Sequence, residues 1–289
     1  MPRKFLSIAL AVVIGAALAS LQALTQQQAP PALMMEKTKD DLYTIIGDGG
    51  NVAVLVTNEG VLLIDDKFEQ DHDQIVAKVK SVTNQPIKYV ISTHYHADHS
   101  GGNGKMQQMG GVEIISTANS RKNILEHKQS NAPPNVVPAR ITFTEETSVF
   151  IGGKEVRARY FGRGHTNGDA VIYFPADRTI HTGDLMAGAS PLIDYNGGGS
   201  LVEWPKTLDG VLKNLDFDTV IPGHGNVTNK AGLQTYRDDV DKLRTRVTGL
   251  IKQGKSQTEI AKVMETEYSW APNSLQQQWS VPGFMKELK

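Results

Sequence analysis

The stretch that decides the fold is His94-Tyr95-His96-Ala97-Asp98-His99. It follows an apolar run at residues 87–92 that predicts a buried strand, and it leads into a predicted helix. Imidazole nitrogens and carboxylate oxygens are donors that suit zinc, and a turn lets residues 94 and 96 converge while residues 98 and 99 diverge. The hexapeptide therefore predicts a loop that supplies ligands to two adjacent metal ions, and a His-rich solvated loop is the alternative.

Three further residues extend this candidate set: His165 in Gly-Arg-Gly-His-Thr, Asp184 in His-Thr-Gly-Asp, and His224 in Pro-Gly-His-Gly. Each follows a predicted strand and lies in a turn beside glycine, which permits positive φ and close approach of neighbouring groups. In layered α/β folds, loops at strand ends direct side chains into a common cleft. Taken singly, each residue also suits an ordinary loop or helix-capping role.

The hydrophobic pattern predicts an α/β fold in which each half contains strands followed by helices. Residues 42–65 have the short β-rich runs of an antiparallel meander, and a helix at 70–82 followed by the strand at 87–92 completes a βαβ unit. The second half repeats the theme with strands near 140–143, 148–151, 155–161, 170–174, 179–181 and 219–221, and with helices at 202–215 and 230–253.

The order of the candidate residues, His-x-His-x-Asp-His and then a lone His, an Asp and a last His, resembles the metallo-β-lactamase superfamily. The resemblance covers about residues 40–227. It implies a four-layer αβ/βα sandwich with the site at one edge, between the two βα halves. It also implies a first metal on His94, His96 and His165, a second metal on Asp98, His99 and His224, and Asp184 as the bridge between them.

One departure from that family pattern concerns the metal. Many β-lactamases of this fold place a cysteine where this chain has Asp184, and this sequence contains no cysteine. The ligand set therefore resembles that of the glyoxalase II type. Two zinc ions per chain are the first expectation, and iron and manganese are alternatives because an all-nitrogen and oxygen site is harder than one with a thiolate.

The expected chemistry is metal-dependent hydrolysis of a small-molecule carbonyl compound. Two divalent ions lower the pKa of a shared water, so the nucleophile is a metal-bound hydroxide, and one ion polarises the substrate carbonyl. Asp98 is the predicted catalytic residue, because a ligand beside that hydroxide can orient it and shuttle a proton to the leaving group.

Residues outside the ligand set have weaker roles. Asp65 and Asp169 are candidate outer carboxylates that accept hydrogen bonds from ligand imidazoles, although both also suit turns. His72 and His127 are expected on helix surfaces and His181 in a strand, none with a catalytic role. The segment Asp194-Tyr195-Asn196-Gly197-Gly198-Gly199-Ser200 is either a mobile wall of the cleft or an ordinary connection.

The substrate is expected to be a β-lactam-like cyclic amide or an ester. A glyoxalase II-like thioesterase is the main alternative, and export argues against it because thioesters are usually cytosolic. A sulfatase or phosphoesterase has no dense basic cluster to support it. A non-catalytic periplasmic metal-binding protein is an alternative of another class, but such a protein is expected to lose at least one ligand, and all seven are present.

The first residues predict export. Arg3 and Lys4 precede an uncharged apolar run at 5–19 that ends in Ala-Leu-Ala, which is typical of a secretory signal peptide, and an uncleaved anchor is the alternative. We expect a signal peptide at 1–19, a linker at 20–39, and a hydrolase domain with C-terminal helices at 40–289. The protein is then secreted or periplasmic, with no stable membrane span after cleavage.

The charge balance bears on partners. Thirty basic and 31 acidic residues give the 289-residue chain a formal charge of −1, and no basic run is long enough to follow a phosphate backbone. Nucleic acid is therefore not an expected partner, and the sequence does not fix the oligomeric state.

Overall fold

Two β-sheets packed face to face form the centre of the structure. The computed structural model describes residues 31–129, 136–188 and 190–289, and residues 32–289 form one compact unit. The predicted signal peptide lies outside the described residues. Within the described part of the chain, no helix combines the length and the apolar character needed to cross a bilayer.

The first sheet has seven strands in sequential order. Its first four strands are antiparallel, as the predicted meander requires, and β4 to β7 are parallel because helical segments connect them. The strands are β1 (Met34–Lys37), β2 (Leu42–Ile46), β3 (Val52–Thr57), β4 (Gly60–Ile64), β5 (Ile87–Ile91), β6 (Glu113–Thr117) and β7 (Ile141–Phe143).

The second sheet has six strands, and again chain neighbours are sheet neighbours. All its pairs are antiparallel except β11 with β12, which are joined through a helix. The strands are β8 (Glu146–Ile151), β9 (Lys154–Tyr160), β10 (Ala170–Phe174), β11 (Thr179–His181), β12 (Thr219–Ile221) and β13 (Thr228–Asn229).

Helices cover the outer faces of both sheets. In chain order they are α1 (His72–Lys80), α2 (Ala97–Ser100), α3 (Asn103–Gln108), α4 (Ala118–Leu125), α5 (Trp204–Asn214), α6 (Lys230–Lys252), α7 (Gln257–Tyr268) and α8 (Val281–Glu287). A π-helical turn, Gln276–Ser280, leads directly into α8.

Strand alternation explains the layers. In β4, Leu62 and Ile64 pack between the two sheets, whereas Val61 and Leu63 pack against the α1 side. In the second sheet, Ile172 faces the first sheet and Val171 faces the helices on the far side. The order is helices, sheet, sheet, helices, so the predicted four-layer αβ/βα sandwich is confirmed.

The long helix α6 packs one face on the second sheet. The sequence has apolar residues at helical spacing from Leu233 to Ile251, which predicts one face packed on a sheet. The structure buries that face, except that Leu250 is buried and Ile251 is only half-buried. The buried set is Leu233, Tyr236, Val240, Leu243, Val247 and Leu250.

The structure differs from the sequence interpretation at several points. The segment predicted as a linker at 20–39 contains β1, because Met34–Lys37 pairs with β2 through backbone hydrogen bonds that need no apolar side chains. His72 is 9% exposed at the start of α1, so the predicted surface position is wrong. His127 follows α4 with φ of 50° and is not helical. The predictions also omitted β6 and β13 and gave no bounds for α4.

Replacing Leu243 by Ala tests the packing of α6. We expect a loss of about 2–5 kcal/mol in the free energy of unfolding, because the fully buried side chain leaves a cavity. The matched Thr245→Ala, on the exposed face of the same helix, should change that value by no more than about 0.5 kcal/mol. Urea denaturation measures both, and equal midpoints for the two variants would contradict this packing.

Candidate functional site

The seven candidate residues converge at one end of the two sheets. The loop after β5 carries His94, His96, Asp98 and His99, and the loop between β9 and β10 carries His165. Asp184 follows β11 and His224 follows β12, and these two parallel strands end at the same edge. The seven residues form three overlapping groups, and within each group the donor atoms lie within 4.8 Å of one another.

One group is made of three buried imidazoles. Nδ1 of His96 lies 3.1 Å from Nε2 of His94 and 2.9 Å from Nε2 of His165. Burial, with the neighbouring His99 and His96, holds the pKa of His94 well below its usual value. Burial also lowers the pKa of His165 to about 4. His94 and His165 are therefore neutral, with nitrogen lone pairs available to a cation.

A second group lies at the solvent-accessible side of the site. Nε2 of His224 is 3.2 Å from Oδ2 of Asp98 and 3.3 Å from Nε2 of His99. The side chains of Asp98 and His224 are 23% and 35% exposed, whereas His99 is fully buried. This edge is where a small molecule can reach the centre.

Charge coupling in the second group is strong. Burial would raise the pKa of Asp98, but His99 and His224 outweigh it and hold the pKa at about 2. Burial would lower the pKa of His224, but Asp184 and Asp98 raise it to about 9. A bound cation would take over the charge-balancing role that protons have on these imidazoles.

Asp184 lies between the two groups. Its Oδ1 is 3.1 Å from Nε2 of His99 and 3.5 Å from Nε2 of His224, and its Oδ2 is 3.6 Å from Nε2 of His165. Although buried, Oδ1 forms no hydrogen bond with any described residue. A buried carboxylate oxygen without a hydrogen bond is costly, so this atom fits a metal ligand.

Two glycines make room for these side chains. A Cβ at Gly223 would lie 2.0 Å from Oδ1 of Asp184, and a Cβ at Gly50 would lie 2.2 Å from Cε1 of His99. Either side chain would displace a candidate ligand. The backbone N–H of Gly50 also donates to the carbonyl of Asp98 at 3.0 Å.

Asp65 orients His99, as the sequence predicts for an outer carboxylate. Its Oδ2 accepts from Nδ1 of His99 at 2.7 Å, and its Oδ1 accepts from the backbone N–H of Thr93 at 2.6 Å. Fixing the proton on Nδ1 leaves Nε2 of His99 free to face the centre.

Among the described residues Asp169 contacts no imidazole, and it has the turn role that the sequence left as its alternative. Its carboxylate accepts from the backbone N–H of Thr166 at 2.8 Å and from the Thr166 hydroxyl. Burial raises its pKa to about 7. Asp169 therefore braces the turn that carries His165 and does not orient a ring. His165 is oriented instead by Nδ1, which donates to the carbonyl of Leu192 at 2.6 Å.

Asp194 orients the imidazole of His96, a role that the sequence analysis did not assign to it. Its Oδ2 accepts from Nε2 of His96 at 2.9 Å and from the Tyr95 hydroxyl, and its Oδ1 accepts from the N–H of Gly197 at 2.9 Å. Burial would raise the pKa of Asp194, but His96 and Tyr95 bring it to about 2. The only available signal was its place in the Gly-rich segment 194–200, which is not diagnostic of an imidazole contact.

Lys67 is a second residue that sequence reasoning missed. Its fully buried ammonium donates to the carbonyls of Asp48 at 2.8 Å and Gly50 at 2.5 Å, and burial lowers its pKa to about 8. It thereby holds the 48–50 loop against Asp98 and His99. His181 is in a strand, as predicted, and its buried Nε2 donates to the carbonyl of Asn51 at 3.1 Å.

Comparisons with known sequences agree with this geometry. The model of the metallo-β-lactamase superfamily matches residues 45–224, more than half of the chain. The chain is 27% identical to a type 2 metallo-β-lactamase of Elizabethkingia meningoseptica over 251 residues, which are 82% of this chain and 95% of that protein. It is 28% identical to the type 2 enzyme of Bacillus cereus over 183 residues, which are 62% and 68% of the two chains.

Solved structures show the same fold. The DIM-1 metallo-β-lactamase superposes with a TM-score of 0.63 at 22% identity, covering 74% of this chain and 99% of its own. A metallo-β-lactamase from Pontibacter korlensis gives 0.64 at 21% identity, covering 72% and 99%. With its family-model match, its four-layer fold and its convergent His and Asp side chains, this chain belongs to the metallo-β-lactamase superfamily and is a metal-dependent hydrolase.

Proposed function

We propose that this protein is an exported binuclear zinc hydrolase that acts on β-lactam-like cyclic amides or esters. The observation that carries the proposal is the position of Asp184 between two groups of imidazoles, with one buried oxygen that lacks a hydrogen bond. A single ion would engage only one of these groups.

The donor set fits two divalent cations. His94, His96 and His165 would hold one ion, Asp98, His99 and His224 the other, and Asp184 would contact both. Divalent ions bound there supply a Lewis acid for the substrate carbonyl and lower the pKa of water at neutral pH. The all-nitrogen and oxygen ligand set suits zinc, with iron or manganese as substitutes.

Within this site, Asp98 is the residue we assign to proton transfer. Its carboxylate is partly exposed at the open edge, and its pKa of about 2 keeps it ionised at neutral pH. It can therefore accept a proton at Oδ2 from the attacking water and return it to the leaving group. Asp65 and Asp194 hold His99 and His96 in the required orientations.

The substrate assignment is supported by the relatives, which are named metallo-β-lactamases. A thioester is the second candidate, favoured by one observation: a carboxylate, Asp184, lies between the two ligand groups, as in the glyoxalase II type.

Metal analysis of the purified full chain, combined with a hydrolysis assay, tests the central proposal. We expect about two zinc ions per chain and hydrolysis of a chromogenic cephalosporin that a chelator abolishes and added zinc restores. A chromogenic thioester is assayed in parallel, and turnover of the thioester alone would replace the cyclic-amide assignment with the second candidate. A protein that binds no metal after reconstitution would refute the binuclear site.

The two outer carboxylates allow each metal position to be weakened separately. Asp65→Asn should lower the affinity of the His99 side by about 10–100-fold, and Asp194→Asn should do the same for the His96 side, because the amide polarises the imidazole less than a carboxylate does. Competition titration with a chromophoric chelator measures both sites.

Asp239→Asn, on the exposed face of α6, is the control and should bind metal as the unaltered protein does. Loss of the same single site in both variants, or no loss in either, would contradict the assignment of one carboxylate to each metal.

Export is tested by expressing the full chain in a Gram-negative bacterium and sequencing the N-terminus of the periplasmic protein. We expect the mature chain to begin at Ser20, because Ala17-Leu18-Ala19 has the small-x-small pattern of a cleavage site. A protein retained in the cytoplasm with Met1 intact would overturn this part of the proposal.

A further inference from the structure

The β2–β3 loop, residues 47–51, joins the two turns that carry Asp98 and His224. The N–H of Gly50 donates to the carbonyl of Asp98 at 3.0 Å, and the N–H of the next residue donates to the carbonyl of Gly223, beside His224, at 2.6 Å. Two adjacent peptide groups therefore set the spacing of two candidate ligands that come from opposite sheets.

The side chain of Asn51 adds to this link. It is 3% exposed, and its Nδ2 donates to the carbonyl of Pro222 at 3.0 Å and to that of Gly225 at 2.8 Å. These carbonyls lie on either side of His224 along the chain. Asn51 therefore holds the whole turn that presents this imidazole.

The link continues from Asn51 to the turn of Asp184. The carbonyl of Asn51 accepts from Nε2 of His181 at 3.1 Å, and Nδ1 of the same ring accepts from the N–H of Gly183, the residue before Asp184, at 3.1 Å. Burial lowers the pKa of His181 to about 4, so the neutral ring donates at one nitrogen and accepts at the other. Three turns with candidate ligands thus depend on one loop.

The ammonium of Lys67 holds this loop in place. Its Nζ donates to the carbonyls of Asp48 at 2.8 Å and Gly50 at 2.5 Å, and the side chain is fully buried. Gly49, between those two residues, has a φ of 66°, and a Cβ there would lie 3.0 Å from the carbonyl oxygen of Asp98. The loop is therefore pressed directly against the Asp98 turn.

The position of Lys67 is unfavourable for its own backbone and charge. Its φ is 57°, a left-handed conformation that glycine would adopt at less cost. Strained backbone of this kind collects at functional sites, where the surroundings hold it. Burial also lowers the pKa of the ammonium to about 8, although the carboxylates of Asp71 and Asp48 oppose the shift. The side chain, not the backbone, therefore gives lysine its role here.

The first group of imidazoles is oriented by a different part of the chain. The carboxylate of Asp194 accepts from His96, and the carbonyl of Leu192 accepts from His165. Loosening the β2–β3 loop should therefore disturb the group that contains Asp98 and His224 and leave the first group in place.

We propose that Lys67 is a positioning residue for the second metal position, where it sets the spacing of Asp98 and His224 through the β2–β3 loop. The metal part of this inference rests on the proposed binuclear function, whereas the attachment of the loop does not. Lys67 itself touches neither group of ligands through a hydrogen bond, so it acts through Gly50 and Asn51.

Hydrogen exchange on the metal-free full chain tests the attachment of the loop. In Lys67→Met we expect the N–H groups of Gly50 and Asn51 to exchange at least about tenfold faster, because local opening of the loop becomes easier. The N–H of Gly197, which donates to Asp194, is the internal control and should keep its rate. Unchanged rates at Gly50 and Asn51, measured by NMR, would overturn the proposal.

Competition titration with a chromophoric chelator tests the effect on metal. Lys67→Met should weaken, by about 10–100-fold, the same binding constant that Asp65→Asn weakens, and leave unchanged the constant that Asp194→Asn weakens. Leu243→Ala, which destabilises α6 away from the site, should change neither constant and so excludes a general loss of stability as the cause. Equal weakening of both constants, or of neither, would refute the positioning role.

Asn51→Ala tests the same link from its other end and serves if Lys67→Met does not fold. It should weaken the same single constant, because Nδ2 no longer holds the His224 turn. The double variant should lose less affinity than the product of the two single losses, since both residues act through one loop. Losses that multiply, or an unchanged constant in Asn51→Ala, would contradict the shared loop.

These measurements separate the inference from the proposed function. Two metals bound with unchanged constants in Lys67→Met would leave the binuclear function intact and overturn the role of Lys67. A protein that binds no metal would refute the binuclear function, while faster exchange at Gly50 and Asn51 would still support the attachment of the loop by Lys67.

Discussion

The structure depends on placing several acidic and imidazole side chains together in a space from which water is largely excluded. Burying Asp184 and Asp65 at full or near-full depth is unfavourable unless each negative charge has a partner at hydrogen-bonding or coordination distance. His99 satisfies this requirement for Asp65, to which its Nδ1 donates, while its Nε2 faces Asp184. The Oδ1 atom of Asp184 forms no hydrogen bond with a described residue, and a bound cation would supply the missing partner for its negative charge.

The sandwich meets this constraint by bringing strand ends together. The strand pairs β4 with β5 and β11 with β12 are parallel, so the loops that follow β5, β11 and β12 leave the sheets toward one edge. Side chains from residues more than 100 positions apart then reach one another without long excursions of the backbone. The close contacts at Gly50 and Gly223 show how little spare volume remains once they have done so.

Local patterns in the sequence predicted what local chemistry determines. The spacing within residues 94–99, the strand alternation and the apolar stripe of α6 each express a geometry set by a few neighbouring residues, and the structure agrees with them. Contacts between distant segments were not predictable. Nothing in the spacing of Asp194 indicates that it orients His96, and nothing in the sequence around Lys67 indicates that its ammonium holds the 48–50 loop.

Two of the errors have separate physical reasons. Asp169 was a candidate to orient an imidazole. Its carboxylate instead accepts hydrogen bonds from the backbone N–H and the hydroxyl of Thr166, three residues earlier, and so closes the turn locally. Strand β1 (Met34–Lys37) fell within the predicted linker, yet it pairs with β2 through backbone hydrogen bonds at the edge of the first sheet.

The C-terminal helices are joined to the centre and are not an independent addition. Successive residues of segment 192–201 contact two different parts of the structure. Leu192 and Asp194 orient the imidazoles of His165 and His96. Ile193 and Tyr195 form hydrogen bonds with the segment 276–287. A change in the packing of α8 would therefore move Ile193 and Tyr195, and with them the adjacent Leu192 and Asp194 that hold His165 and His96. In this arrangement the segment 276–287 and the groups that orient His96 and His165 belong to one hydrogen-bonded unit. Loss of the anchoring residues Ser280 or Glu287 would therefore disturb the positions of Asp194 and Leu192, and with them His96 and His165.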